Sequence, residues 1–136
     1  MRKIFFLMLV VNCSGLAIKE KVIGNYYLVA ADDGAGCILS YHEGDEYNYD
    51  GIIEATVFAV GWNNKFIIAK QHPRTFPHPP NKNITNYFIL SINEKSDQKN
   101  GEALFGPLTL EQFNVKRKKL GVPDDLEFTK VFKDLE

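Results

Sequence analysis

The chain has 136 residues, 45% of them hydrophobic and 12% aromatic, and 16 Lys and Arg against 17 Asp and Glu give a net charge of -1. This length fits one domain with enough apolar surface to bury a core, which excludes a disordered charged tail. The near-neutral charge argues against a nucleic-acid-binding protein, because no net positive field exists to release phosphate counterions. Two cysteines are too few for a disulfide scaffold or a cysteine-rich zinc module.

Residues 1–17 have the pattern of an export signal. Arg2 and Lys3 precede an unbroken apolar run from Ile4 to Val11. The run is too short to cross a bilayer, which takes about 20 residues in a helix. The positive start and the small residues after the run favour a signal peptide over a buried first strand. We therefore predict a signal peptide over residues 1–17 and one mature domain over residues 18–136.

The end of this signal fits two kinds of cleavage. Residues 10–14 resemble the cleavage box of bacterial lipoproteins, in which a peptidase cuts before a cysteine that carries lipid, here Cys13. Asn12 departs from that pattern, because Gly, Ala or Ser is usual at its position. Cleavage after Ala17 is the alternative and would release a secreted protein. Lipidation of Cys13 is the favoured prediction, with the protein tethered to the membrane on the periplasmic or cell-surface side of a bacterial envelope.

Five strand-like segments fill the first two-thirds of the mature chain. They are rich in aromatic and β-branched residues and are bounded by turn residues, and they cover residues 25–31, 37–41, 52–61, 65–71 and 86–92. Asn63 and Asn64 form a short polar gap that indicates a hairpin. No helical segment long enough for a parallel crossover lies between the strands. We therefore predict an antiparallel meander sheet of about five strands.

Two segments of the mature chain are predicted to be loops. Four prolines between Pro73 and Pro80 exclude regular helix and central strand, so this proline loop should be an extended surface segment. Residues 94–102 are polar and contain a glycine, which also indicates a loop.

The last third of the chain changes to helical spacing. Thr109 and Gln112 form a capping box, and Gly121 should end the helix that they begin. A second capping box at residues 124–127 precedes apolar residues at amphipathic helical spacing, which predicts a second helix with a strand over residues 126–132 as the competing interpretation. The fold class is therefore α+β, with one or two C-terminal helices packed on the sheet. The predicted core residues are Val57, Ile67, Phe88, Leu110 and Phe113.

An acidic and tyrosine-rich stretch is the candidate binding surface. Seven acidic residues fall between Asp32 and Glu54 without any Lys or Arg, and tyrosines stand before and among them. A tyrosine offers a flat apolar face and a hydroxyl, so such surfaces suit peptides, cations or sugars. In the alternative interpretation, alternate tyrosines face the core and the acids are solvated turns. The predicted ligand-binding residues are Tyr41, Tyr47, Tyr49 and Asp50, with Trp62 as a neighbour; the proline loop, with Arg74 and Phe76, is the alternative surface.

No catalytic residue, metal or cofactor is predicted. His42, His72 and His78 lack the spacing of a zinc site and are interpreted as solvated histidines. Ser40 and His42 have no evident orienting acid, so they are not interpreted as a catalytic pair. Cys37 lies in an apolar context and is predicted to be buried and inert.

Several motifs of the mature chain resemble a known family. The segments 58–63, 66–73, 105–109 and 120–123 are similar to those of small bacterial lipoproteins of the DUF3997 type. The resemblance implies a location in the cell envelope and implies no activity, cofactor or catalytic residue. Our leading hypothesis is a non-catalytic binding or interaction module whose partner is an envelope protein, a peptide or a glycan. The alternatives are a structural or inhibitory envelope protein, and a hydrolase whose site assembles only in three dimensions.

Overall fold

A computed structural model of the protein describes residues 17–42, 44, 49–92 and 103–136. Cys13, the rest of the predicted signal before Ala17, and the predicted loop 94–102 lie outside this part of the chain. The described residues form nine strands, one α-helix and two short 3-10 helices. In chain order these are β1 (Ile18–Ile23), β2 (Tyr26–Ala30), a 3-10 helix (Gly34–Gly36), β3 (Ile38–His42), β4 (Tyr49–Ile53), β5 (Val57–Trp62), β6 (Phe66–Gln71), β7 (Asn86–Ser91), β8 (Ala103–Leu108), α1 (Leu110–Leu120), β9 (Lys130–Val131) and a 3-10 helix (Lys133–Leu135).

The strands form two sheets in which all neighbours are antiparallel. Sheet A has the order β1-β2-β3-β4, and sheet B has the order β8-β7-β6-β5-β9. The predicted antiparallel α+β class is confirmed, although the strands divide between two sheets instead of forming one. The division falls within the predicted strand 52–61. The chain leaves sheet A after Ile53 and enters sheet B at Val57, whose N–H donates to the Cys37 carbonyl at 2.9 Å.

Sheet B is buried on both faces. Alternate residues of β6 show this, because Ile67 and Ala69 belong to the cluster between the sheets, whereas Phe66 and Ile68 belong to a second cluster beneath α1. The molecule therefore has three layers, in the order sheet A, sheet B and helix. Burial on both faces explains why β6 reads as a continuous apolar run and not as an alternating one.

Four of the five predicted core residues are buried, namely Val57, Ile67, Phe88 and Phe113. The prediction for Leu110 is wrong, because its side chain is 52% exposed. Leu110 is the first residue of α1 and points away from the sheet, while Phe113 is the residue of α1 that becomes buried. The apolar stripe of this helix is therefore narrower than its sequence indicated.

The limits of α1 follow from its caps, as predicted. The Gln112 N–H donates to the Thr109 hydroxyl at 3.1 Å, and the Thr109 N–H donates to the Gln112 side chain at 2.9 Å. Gly121 follows the last turn with a φ of 81°, in the left-handed region that glycine adopts without strain.

The predicted second helix is wrong. Residues 130–131 instead form β9, which pairs with β5 at the edge of sheet B, and the Phe132 N–H donates to the Phe58 carbonyl at 2.8 Å. The competing strand interpretation is correct for these two residues. Gly61 allows the close approach of this segment, since a Cβ there would lie 1.9 Å from the Glu127 oxygen. Pairing of this segment with the open edge of β5 therefore outweighs the helical spacing of its apolar residues.

Candidate functional site

Tyr41 lies in the core of the protein, on the face of sheet A that meets sheet B. Its side chain is 2% exposed, and its ring meets the Tyr26 ring edge-on with centroids 5.1 Å apart. The Asn25 side-chain amide donates to the Tyr41 hydroxyl at 3.4 Å. Both the ring and the hydroxyl of Tyr41 therefore have contacts within the fold.

Tyr49 lies on the opposite face of sheet A, in a cluster with two other rings. Its ring stacks on His42, its partner across β3 and β4, with centroids 4.6 Å apart and planes 18° apart. Tyr27 meets both rings edge-on, at 5.7 Å from His42 and 5.8 Å from Tyr49. We call Tyr27, His42 and Tyr49 the outer aromatic cluster.

The hydroxyl of Tyr49 is the unusual atom of this cluster. It is buried and has no hydrogen-bond partner among the described residues. A buried polar group without a partner destabilises a fold by about 1–3 kcal/mol, so such groups are uncommon and call for an explanation. The cluster therefore holds one donor and acceptor that the described fold leaves unused.

The remaining predicted site residues do not join this cluster. Asp50 is paired with Tyr41 across β3 and β4 and is partly buried. Trp62 ends β5 and packs, partly buried, against the cluster between the two sheets. Tyr47 lies outside the described residues. Of the predicted residues that the structure describes, only Tyr49 belongs to the outer aromatic cluster.

Sequence reasoning missed Tyr27 and His42 as neighbours of Tyr49. The signal was available in the two-residue alternation of strands, because Tyr26 and Tyr27 are adjacent and must point to opposite faces. Assigning Tyr26 and Tyr41 to the inner face places Tyr27 and His42 on the outer one. The missing information was the register between strands, which decides which outer residues meet.

Ser40 directly precedes Tyr41 and His42, the two residues of β3 that carry rings. It is fully buried, and its hydroxyl donates to the Tyr27 carbonyl at 3.2 Å. The hydroxyl proton is thus committed to a backbone oxygen. This arrangement makes Ser40 part of the sheet and does not prepare it as a nucleophile, which requires a base that accepts that proton.

Cys37 precedes β3 and is fully buried, as predicted. Burial raises the pKa of its thiol to about 12, and the nearby Glu20 carboxylate acts in the same direction. The thiol is therefore protonated at neutral pH. Since the thiolate is the nucleophilic form of cysteine, Cys37 is chemically inert in the folded protein.

His72 is not solvated, and its predicted exposure is wrong. Its ring stacks on Phe58 with centroids 4.1 Å apart, and Nδ1 lies 2.8 Å from the Ile84 carbonyl oxygen. A carbonyl oxygen can only accept, so Nδ1 is the donor of this bond. The buried Nε2 has no hydrogen-bond partner among the described residues. Among the described residues no group of three His, Cys, Asp or Glu side chains could hold a metal ion.

The proline loop is irregular and exposed, as predicted. The Phe76 ring is 79% exposed, and the Arg74 guanidinium lies 5.4 Å from its centroid. Backbone bonds from Asn81 to Pro73 and from His78 to Thr75 close the loop. It presents one exposed apolar ring with a cation close to its face.

Comparison with known proteins identifies one family. The model of the DUF3997 family, described as proteins of unknown function, matches residues 23–132 and so covers more than half of the chain. No curated protein and no solved structure matches the chain. In the part of the chain that the structure describes, no helix is long and apolar enough to cross a membrane. The resemblance found in the motifs of the sequence is thus confirmed at the level of the family, and the chain belongs to DUF3997.

Proposed function

We propose that this protein is a non-catalytic binding module of the bacterial cell envelope and that it takes its ligand on the outer aromatic cluster. The observation that carries the proposal is the Tyr49 hydroxyl, which is buried among stacked rings without a partner. A ligand with one polar group and one flat or apolar face would satisfy both features. Peptides and glycans have this combination, which aromatic surfaces recognise.

The surroundings of the cluster support the same ligand class. Tyr49 lies three residues after Glu46, and Glu43 and Asp45 belong to the same acidic segment. Loops on a rigid sheet are frequent recognition elements, and the cluster is fixed by the β3–β4 pairing of sheet A. An envelope peptide with a basic residue, or a glycan with an amino group, would find acids close in sequence to the rings.

The proposed location depends on residues 1–17. Their positive start, apolar run and Cys13 support export followed by lipid anchoring, with secretion after cleavage at Ala17 as the alternative. Metabolic labelling with a fatty-acid probe tests the anchor. Wild type should take up the label and Cys13→Ala should not. Equal labelling of both would reject the anchor, and a full-length precursor in the cytoplasm would reject export.

The binding proposal is tested by removing one oxygen atom. Tyr49→Phe keeps the ring stack and deletes only the hydroxyl that lacks a partner. We expect the variant to be at least as stable as wild type, since deleting an unsatisfied buried group removes its desolvation penalty. We also expect it to capture less ligand from an envelope extract containing peptidoglycan fragments and envelope proteins. Bound species are identified by mass spectrometry.

Tyr41→Phe is the matched control, because it deletes a tyrosine hydroxyl on the inner face of the same sheet. It should lose some stability and retain capture. If Tyr49→Phe captures as much as wild type, the outer aromatic cluster serves stability alone. The three ring pairs would then act as cross-strand contacts, each contributing about 0.5–1.5 kcal/mol.

A further inference from the structure

A groove runs along one flank of α1. It has a volume of about 420 Å³ and is lined by Leu108, Glu111, Gln112, Val115, Lys116 and Lys119. Val115 lies in the middle of α1, and its side chain is 55% exposed. We call this surface the helix groove. Val115 and Leu108 give the groove an apolar part that lies among the charged side chains of Glu111, Lys116 and Lys119.

The groove opens at the edge of sheet B. β8 is the terminal strand of that sheet, and α1 packs over β7 and β8. The Lys116 ammonium lies 4.9 Å from the centroid of the Phe105 ring on β8, so this side chain is held against the sheet edge. Because β8 is an edge strand of sheet B, a helix of a neighbouring molecule could approach this flank from outside.

The charges of the groove have an order along the helix. Glu111 lies at its start, Val115 in the middle and Lys119 near its end, each four positions after the one before. Four residues are about one turn, or 6 Å of rise, so the three side chains share one flank. If a second copy of this stripe is placed antiparallel to the first, Glu111 of each copy lies opposite Lys119 of the other, and the two Val115 side chains meet.

We propose that the helix groove is the interface of a two-fold symmetric dimer, in which α1 of one copy packs antiparallel on α1 of a second copy about Val115. The two-fold axis brings Glu111 of each copy next to Lys119 of the other. Both copies therefore use the same surface patch, which is complementary to itself. Helices that pack directly on each other lie about 8–10 Å apart, and the contact about Val115 requires only this separation.

The same charges disfavour other occupants. A parallel helix would place Glu111 against Glu111 and Lys119 against Lys119. A purely acidic peptide would meet Lys116 and Lys119 favourably but would be repelled by Glu111. Pro107 lacks an N–H and interrupts the outer edge of β8, so the contact is made by helices and does not require strand pairing.

Six lining residues are fewer than the 20–30 on each side of a standard interface, so the dimer should be weak and exchange rapidly in solution. A covalent trap on the full chain is the suitable test. Val115→Cys places a thiol at the two-fold axis, where a mild oxidant should link two copies into a species of twice the monomer mass on a non-reducing gel. Cys37 is fully buried and does not compete. Cys13 is replaced by alanine in every variant of this series, so that it cannot form a disulfide.

Leu110→Cys is the matched control. Leu110 is 52% exposed on the same helix, but it does not line the groove and lies more than a turn from the axis. It should remain monomeric under the same oxidation. Equal linkage of the two variants, or no linkage of Val115→Cys, overturns the proposed geometry. Circular dichroism spectra that match wild type confirm that both variants are folded.

Charge exchange tests the orientation. In the Val115→Cys background, Glu111→Lys and Lys119→Glu should each reduce linkage about tenfold, since two weak attractive pairs become repulsive. Mixing the two variants restores both pairs, and linkage should return between the unlike chains. If linkage is not restored on mixing, the antiparallel pairing is wrong. If Glu111→Lys alone increases linkage, the groove contacts an acidic surface instead, which also overturns the proposal. None of these results depends on the outer aromatic cluster or the lipid anchor.

Discussion

The attachment of α1 to sheet B depends on one side chain. Phe113 is 1% exposed, and its ring centroid lies 5.1 Å from that of Tyr87 and 6.0 Å from that of Phe128. The Arg117 guanidinium lies 5.2 Å from the same ring on its other side. Truncation to alanine removes apolar contact with both the sheet and the segment that follows the helix.

The magnitude follows from the buried surface. A buried phenylalanine removes about 150 Å² or more from water, which at about 25 cal/mol per Å² corresponds to roughly 4 kcal/mol. Measured Phe→Ala changes in protein cores fall in the same range, about 3–5 kcal/mol. We expect Phe113→Ala to lower the free energy of unfolding by this amount and the melting temperature by about 10–15 °C.

Leu110→Ala is the control, because it truncates a large apolar residue on the same helix that is already half exposed. Its effect should stay below about 0.5 kcal/mol. Urea denaturation of the purified protein, followed by circular dichroism, measures both variants. If Leu110→Ala loses as much stability as Phe113→Ala, the assignment of the buried face of α1 is wrong.

The remaining predictions concern Cys37 and Gly61. Because the pKa of the Cys37 thiol is raised to about 12, its thiolate population and its alkylation by iodoacetamide should fall by about 1000-fold or more relative to the unfolded chain. The stability contributed by the protonated thiol is complete below the ordinary thiol pKa of 9.0 and is lost as the pH rises toward 12, so urea midpoints should fall over that range. Gly61→Ala should unfold the protein or detach the C-terminal segment, since the added Cβ would lie 1.9 Å from the Glu127 backbone oxygen. Unfolding would appear as loss of the melting transition, and detachment as loss of protection of this segment against proteolysis. Gly51→Ala meets only the Ile38 side chain at 3.7 Å and should melt like wild type; similar melting of both variants would contradict the placement of the C-terminal segment.

Local patterns predicted the elements whose stability is local. The capping box of Thr109 and Gln112 fixed the start of α1, and Gly121 fixed its end, because each cap acts through backbone groups a few residues away. The hairpin at Asn63 was predictable for the same reason, since the Asn63 side chain accepts from the backbone N–H of Lys65 and Phe66, both at 2.8 Å.

Patterns that depend on distant partners were not predictable. Phe128, Val131 and Phe132 have helical spacing, yet Val131 pairs with Ala59 in sheet B and Phe132 donates to Phe58. Nothing within residues 124–136 indicates that β5 offers an open edge. The division into two sheets was hidden likewise, because the change of sheet at Thr56 depends on Ala35, which accepts from the Thr56 hydroxyl.

The candidate site was half predictable for a related reason. Composition indicated a tyrosine-rich surface near Tyr49, and the alternation of strands could have excluded Tyr41 from it. The stack of His42 on Tyr49 required the register of β3 on β4, which shifts between Leu39 and Ser40. A shift of one residue exchanges the two faces of a strand, so no count of residue types can locate such a cluster.

The layer order itself restricts where a ligand can bind. Both hydrophobic clusters of the described residues involve sheet B, one against sheet A and one against α1, so neither face of sheet B is available. Neither cluster includes a residue from the outer face of sheet A. Aromatic rings on that face therefore belong to neither of the two hydrophobic clusters. The rings of Tyr27, His42 and Tyr49 contact one another there, and the Tyr49 hydroxyl has no partner. A ligand on this face would cover apolar ring surface without displacing a packed layer, and a shift of the side chains that cover the Tyr49 hydroxyl would let it bond that group as well. A ligand on either face of sheet B would first have to displace a packed layer.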